Sequence, residues 1–201
     1  MPRSNFFAHL GLFAVRDFLD AEACARLRAD MSTADVSPAT IGTAYGEVVN
    51  EALRRAEMAK ASADSKSLIK SLLSDLQPKL ESHFNVALTG AEKPQFLNYS
   101  QGGFCTLHRD DSDDPESAEY IKMRKVSVVI FLNSESEEAR QGSYVGGRLT
   151  FYSLMKDQSW KNCGLPLTGE EGLLIAFRSD VMHGVTPVTC GVRHTIVTWF
   201  Y

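Results

Sequence analysis

The chain has no paired cysteine motif, no bilayer-length apolar run and no excess of basic charge. Its 4 cysteines, Cys24, Cys105, Cys163 and Cys190, are scattered, with no CxxC among them. A disulfide framework is not expected in a domain this size, so free thiols in a reduced, cytoplasmic setting are. The apolar stretch Phe6 to Val15 is short, His9 interrupts it, and no small-residue cleavage site follows, so it does not read as a signal peptide. No run reaches the roughly 18–20 apolar residues needed to cross a bilayer. Lys and Arg total 21 against 25 Asp and Glu, for a net charge of −4 and a pI of about 5.7. That argues against a broad nucleic-acid surface, and no nucleic-acid or membrane partner is expected. There is no internal repeat, low-complexity tract or linker.

What is present suits a single domain. A chain of 201 residues, 44% hydrophobic and 23% charged, can bury a sizeable core. We read one domain over residues 1–201, with a helical N-terminal part to about residue 90 and a strand-rich core from about 91 to 201. The fold class is α+β. Leu12 to Phe18 suits a short strand. Asp20 is placed to N-cap a helix from Ala21 to about Met31, with Cys24, Leu27 and Met31 on one face. Ser37 to Gly46 reads as loop, and Val48 to Ala61 fits strand or helix. Ser65 to Phe84 is the clearest helix, with Leu68, Leu72, Leu76 and Leu80 as its stripe, Ile69 and Leu73 widening it, and Pro78 as a potential kink. Strands are expected at Gln95–Ser100, Phe104–Asp110, Lys125–Leu132, Gly147–Ser153, Gly172–Phe177, Met182–Val185 and Val192–Tyr201. No appended substrate domain is expected beyond Tyr201.

The chemistry concentrates in His108-Arg109-Asp110 and the later His183. Residues i and i+2 of a strand share a face, so His108 and Asp110 can reach one ion while Arg109 points away. His183 opens another strand, and Gly184 leaves room beside it. Two imidazoles and a carboxylate form the facial triad that holds non-haem Fe(II) and leaves the opposite positions open. Arg193 can clamp a carboxylate in bidentate fashion, and Thr195, two residues on, can add a hydroxyl. Tyr99 can supply a phenol. Each residue alone is ordinary, a surface His, an ion-paired Arg or a core Tyr. The ordered set carries the reading.

Those residues sit in longer motifs. Asn98-Tyr99-Ser100-Gln101-Gly102 leading to His108-Arg109-Asp110 resembles the Y-x-x-G…H-x-D opening of the prolyl 4-hydroxylase-like Fe(II)/2-oxoglutarate dioxygenases. Gly146-Gly147-Arg148-Leu149 resembles their G-G-x-L strand. His183 through Val188 to Gly191 and Arg193 resembles their H-x-V-x-P-V-x-x-G-x-R segment. Asp17 to Cys24 is similar to their strand-to-helix opening. The resemblance implies a double-stranded β-helix (jelly-roll) core with N-terminal supporting helices. It implies iron ligands His108, Asp110 and His183, with Arg193 on the distal carboxylate of 2-oxoglutarate. Tyr99 and Thr195 join it as co-substrate contacts. The cofactors implied are Fe(II), 2-oxoglutarate and O2, with ascorbate as a reductant. The products implied are a hydroxylated substrate, succinate and carbon dioxide. Collagen-type prolyl 4-hydroxylases place lysine where Arg193 stands, so the resemblance does not carry proline over as the substrate. Asp110, absent from the related halogenases, favours hydroxylation.

The expected substrate is a peptidyl side chain or a small amino-acid-like molecule. An AlkB-like nucleic-acid demethylase is the alternative enzyme, but the run Arg193 to Trp199 lacks that group's second arginine. A non-catalytic jelly-roll binding or sensor module is the alternative outside catalysis. The acidic stretch Asp110 to Glu119 reads as a loop, and the loop 111–122 is a candidate substrate lid. Arg54, Arg55 and Lys60 form either a contact for an acidic substrate or a solvated face. Phe104, Thr106 and Phe151 are candidate pocket residues by strand parity with the ligands or by proximity. His9, His83 and His194 have no ligand-like spacing.

Overall fold

The structure is a computed structural model that describes residues 4–43, 46–138, 140–154 and 163–201. Two antiparallel sheets face one another. The larger runs Phe13–Val15, Leu174–Arg178, Val126–Phe131, Arg193–Phe200, Gln95–Tyr99, Glu57–Ala59 and Val36–Pro38 in spatial order. The smaller runs Leu165–Leu167, Leu149–Phe151, His183–Val185, Phe104–His108 and Arg54–Arg55. From residue 95 onward the chain passes back and forth between them, which makes the jelly roll an α+β fold with a double-stranded β-helix core.

The β-branched run Val126–Phe131 shows why the core sits where it does. All six residues are buried, because both faces of this strand are covered. Val126, Val128 and Ile130 face the helices, whereas Val129 and Phe131 face the other sheet. Period-two alternation therefore feeds two cores from one strand.

Helix Ala21–Thr33 begins where Asp20 accepts a hydrogen bond from the Ala23 amide at 2.7 Å, and it buries Cys24, Leu27 and Met31. Helix Ala63–Phe84 continues through Pro78 without interruption. Its buried stripe is Ser65, Ile69, Leu73, Leu76 and Leu80, which corrects the expected one. A strict four-residue repeat drifts by about 40° per step around a helix of 3.6 residues per turn. Leu68 and Leu72 accordingly rotate to the half-buried flank. Each fully buried leucine or isoleucine on the stripe contributes about 1.5–3 kcal/mol.

The main departures lie in short strands. Residues expected as loop form Val36–Pro38 and a ribbon of Ile41–Thr43 with Gly46–Val48; positions 44–45 lie outside the described residues. The ambiguous Val48 to Ala61 segment resolves into strands Arg54–Arg55 and Glu57–Ala59, so the N-terminal part adds an edge to each sheet. Tyr144–Gly146 pairs with Val188–Gly191 in a second ribbon. Helix Ser4–His9 occupies part of the apolar N-terminal stretch.

Candidate metal centre and anion site

Strand pairing delivers the two imidazoles to one point. His183 opens its strand directly opposite His108, the last residue of the neighbouring strand, and their ring centroids lie 4.3 Å apart. Asp110 follows two residues later, anchored by its amide donating to the Ser179 carbonyl at 2.9 Å. Its two carboxylate oxygens lie 3.3 Å from His108 Nε2 and 3.5 Å from His183 Nε2. One ligand atom from each residue falls within 4.8 Å of the others. Ligands held at right angles by a metal about 2.1 Å away sit about 3 Å apart, so the spacing fits a single ion.

The second nitrogens set the tautomers. His108 Nδ1 lies 2.8 Å from the Thr106 carbonyl and His183 Nδ1 2.9 Å from the Val181 carbonyl. A carbonyl only accepts, so both Nδ1 atoms carry hydrogen and both Nε2 atoms turn to the centre, as metal-binding histidines require. Burial opposes charge on Asp110, yet His183 and His108 hold its carboxyl well below the usual carboxylate range. Burial likewise opposes protonation of His108, and Asp110 with Cys105 overcomes it, raising that imidazole well above its ordinary value. Burial, helped by His108, lowers His183.

A β-bulge shapes this corner. His183 pairs with His108 and Val185 with Cys105, so Gly184 alone faces both Thr106 and Leu107. The extra residue shifts parity. Cys105 packs inward, as His108 turns inward, while Leu107 is 51% exposed. The pocket positions expected by strict alternation and proximity are corrected accordingly. Thr106 does line the cavity, Phe104 instead carries the Arg55 guanidinium over its ring, and Phe151 is buried in the core. Arg109, expected to point away, pairs with Asp111 and Asp113 at the wall of the same cavity.

The cavity has a volume of about 290 Å³, and all three triad residues line it. Arg193 enters from the larger sheet, opposite Tyr99 in register. It is 1% exposed and lies between the rings of Tyr99 and Phe131, 5.1 and 5.0 Å from their centroids. Its Nη1 donates to Thr195 Oγ1 at 3.1 Å. Among the described residues its Nε has no hydrogen-bond partner, and neither does the buried Tyr144 hydroxyl. Arg193 has no carboxylate partner among the described residues. A buried cation left in that state suits an anionic ligand. Arg193 and Tyr99 line the cavity; Thr195 is sealed behind and acts on Arg193.

Several residues around the site went unnoticed in the sequence. Ser127 stands beside Asp110 and bonds Ser179 at 3.0 Å. Its signal was a lone hydroxyl within an apolar β-branched run. Arg124 stacks 3.8 Å from the centroid of the Trp199 ring, pairs with Glu92 at 2.5 Å and donates to the Asp110 carbonyl at 3.2 Å. It braces Asp110 from behind, and nothing in the sequence marked it.

Comparison with known proteins agrees with this geometry. The family model of the 2OG-Fe(II) oxygenase superfamily matches residues 94–201. No curated protein matches in sequence. Among solved structures, a Pseudomonas putida prolyl-4-hydroxylase is similar with a TM-score of 0.68 at 22% identity, covering 94% of this chain and 91% of that one. A Trichoplax adhaerens prolyl hydroxylase, in complex with a hypoxia inducible factor peptide fragment, gives a TM-score of 0.72 at 19% identity, covering 98% and 88%. The viral collagen prolyl hydroxylase of Paramecium bursaria chlorella virus-1, in its 2OG complex, gives 0.63 at 15%, covering 94% and 95%. At these identities the likeness concerns the fold.

Proposed function

Because the chain belongs to the 2OG-Fe(II) oxygenase superfamily, whose enzymes use iron, 2-oxoglutarate and dioxygen, we propose that it hydroxylates a peptidyl side chain or a small amino-acid-like molecule. Succinate and carbon dioxide are the co-products. His108, Asp110 and His183 hold the iron, and Arg193, aided by Thr195 and Tyr99, holds the distal carboxylate of 2-oxoglutarate. The observation that carries this reading is the pairing of two features in one cavity. One is three convergent ligand atoms; the other is a buried guanidinium without a counter-charge among the described residues.

When bound, the iron and co-substrate supply the oxidising chemistry that replaces a C–H bond by C–OH. The chain's residues do the rest. The Thr106 and Val181 carbonyls fix both imidazoles with Nε2 inward. Asp110 is held anionic and supplies the negative ligand. His183 and Asp110 are buried while the His108 side chain is 37% exposed, so the site opens on the His108 side. The substrate carbon approaches from there. The apolar rings of Tyr99 and Phe131 exclude water around Arg193 and strengthen its hold on a carboxylate. The peptide bound to the Trichoplax enzyme supports a peptidyl substrate on this fold.

Anaerobic titration of metal-free protein with Fe(II) and 2-oxoglutarate tests the site through the weak visible charge-transfer band of the chelate. The band is expected in the wild type, lost in His183→Ala and weakened or lost in Arg193→Ala. No band with both components in excess overturns the assignment.

A further inference from the structure

Four arginines line the cavity, namely Arg54, Arg109, Arg124 and Arg193. Three have an occupation. Arg109 pairs with Asp111 and Asp113, Arg124 pairs with Glu92, and Arg193 serves the co-substrate in the proposal above. Arg54 has no ion pair among the described residues. It sits on the two-residue edge strand, opposite Cys105, and turns inward while Arg55 turns outward over Phe104. Its Nη1 donates to the Thr40 carbonyl at 3.0 Å, and its Nε is buried with no partner among the described residues. Burial works against its charge, but Tyr99, Cys105 and Asp110 beside it more than restore that charge.

The charge balance of the loaded site leaves Arg54 over. Two positive charges on iron and one on Arg193 are matched by one on Asp110 and two on the co-substrate dicarboxylate. The wall's other carboxylate, Glu47, is exposed and accepts the Thr40 hydroxyl at 2.9 Å. A guanidinium withdrawn from water without a carboxylate costs stability unless a ligand anion completes it. At the same wall Leu53 and Leu107 are 42% and 51% exposed, leaving an apolar lip beside the cation.

We propose that Arg54 is the specificity-determining residue for the primary substrate, taking a carboxylate whose adjoining aliphatic carbons lie against Leu53 and Leu107. This rests on the oxygenase reading of the cavity. The carboxylate belongs either to a free aliphatic amino acid or to an acidic residue of a peptide, and the guanidinium reads both by the same two-point hydrogen bonding. Arg54 thereby separates substrates by charge, a selection that the triad and Arg193 do not make.

The test uses the intact protein loaded anaerobically with Fe(II) and 2-oxoglutarate, with the chelate band recorded first in each sample. Matched probes are then titrated while tryptophan fluorescence is followed, since Trp199 lines the same cavity. The pairs are L-leucine with L-leucinamide, L-proline with L-prolinamide, and a capped tetrapeptide containing Glu with its Gln counterpart. In the wild type, the carboxylate member of at least one pair binds about tenfold tighter or more. Preference within the amino-acid pairs identifies a free amino acid as the source, and preference within the peptide pair an acidic residue. Arg54→Gln removes the preference, and Arg54→Lys, which keeps the charge and loses the fork, retains part of it. The ratio is measured within each variant, so a general loss of stability does not produce the result. Equal binding within every pair, no binding by any probe, or the same preference in Arg54→Gln overturns the proposal. Absence of the chelate band in the wild type overturns the underlying site assignment, and this proposal with it.

Discussion

Replacing Arg193 by methionine should make the unloaded protein more stable and the loaded protein less so. The Arg193 side chain is 1% exposed and lacks a carboxylate partner among the described residues. Burying such a cation costs several kcal/mol. Against that stand one hydrogen bond to Thr195 and two ring contacts, from Tyr99 and Phe131. The bond is worth about 1 kcal/mol and the rings about 1–2 kcal/mol each. These terms roughly cancel, leaving little net stabilisation from Arg193. Methionine of similar length removes the charge and adds apolar burial worth about 1.5–3 kcal/mol. Some packing is lost to imperfect fit, so a net gain of about 1–2 kcal/mol is expected without co-substrate. With Fe(II) present and 2-oxoglutarate at a hundred times its dissociation constant, the wild type gains about 2.7 kcal/mol and the variant gains almost none. Urea unfolding under anaerobic conditions, with and without co-substrate, measures both gaps. The two stability orders should therefore cross. A variant less stable than the wild type in both conditions makes Arg193 a structural residue. Equal stabilisation of both by 2-oxoglutarate places the co-substrate elsewhere.

Other consequences are accessible to simple assays. A Cβ on Gly184 would lie 3.1 Å from the Cys105 carbonyl oxygen and 3.3 Å from the Leu107 amide nitrogen, both on the bulged strand. Gly184→Ala should displace His108 from His183 and weaken Fe(II) binding about tenfold, and an unchanged dissociation constant would refute this role for the bulge. Burial pushes the Cys24 thiol up to about 11, whereas Cys163 is exposed. At pH 8 only about 0.1% of Cys24 is thiolate, so iodoacetamide should modify Cys163 first and Cys24 only on unfolding, as read by peptide mass mapping. Burial, helped by Arg28, lowers His194 to about 4. An unfolded histidine titrates near 6.5, so the unfolded chain takes up the proton first, and stability is lost as pH falls from about 6.5 to about 4. His194→Gln should remove at most about 3 kcal/mol of that loss in urea melts at the two pH limits, and identical pH dependence in wild type and variant would count against it.

The longest strands and the capped helices were legible because local chemistry and tertiary packing agree there. Val126–Phe131 and Arg193–Phe200 are rich in β-branched and aromatic residues and lie at the centre of the larger sheet. Asp20 caps its helix through its own side chain, a signal only three residues long. The strands Tyr144–Gly146, Val188–Gly191 and Ile41–Thr43 were not legible. Three or four residues show too little alternation to register, and each is defined by a pairing partner outside its own segment.

At the site, the same contrast separates the ligands from their surroundings. His108, Asp110, His183 and Arg193 are recognisable because their chemistry demands particular side chains in a particular order. The neighbours obey register instead, and register is invisible until strands pair. One inserted residue opposite Gly184 turns Cys105 in, against the alternation that His108 alone would dictate. On the two-residue edge strand, the choice of Arg54 or Arg55 for the cavity depends wholly on Arg54 meeting Cys105 across the ladder. The iron-binding chemistry is thus written in residue types. The cavity wall that carries Arg54 and Leu53 is set by pairing between segments some fifty residues apart, Arg54 with Cys105 and Leu53 with Thr106. If Arg54 selects the substrate as proposed, a one-residue slip of the edge strand would change that selection without touching His108, Asp110 or His183.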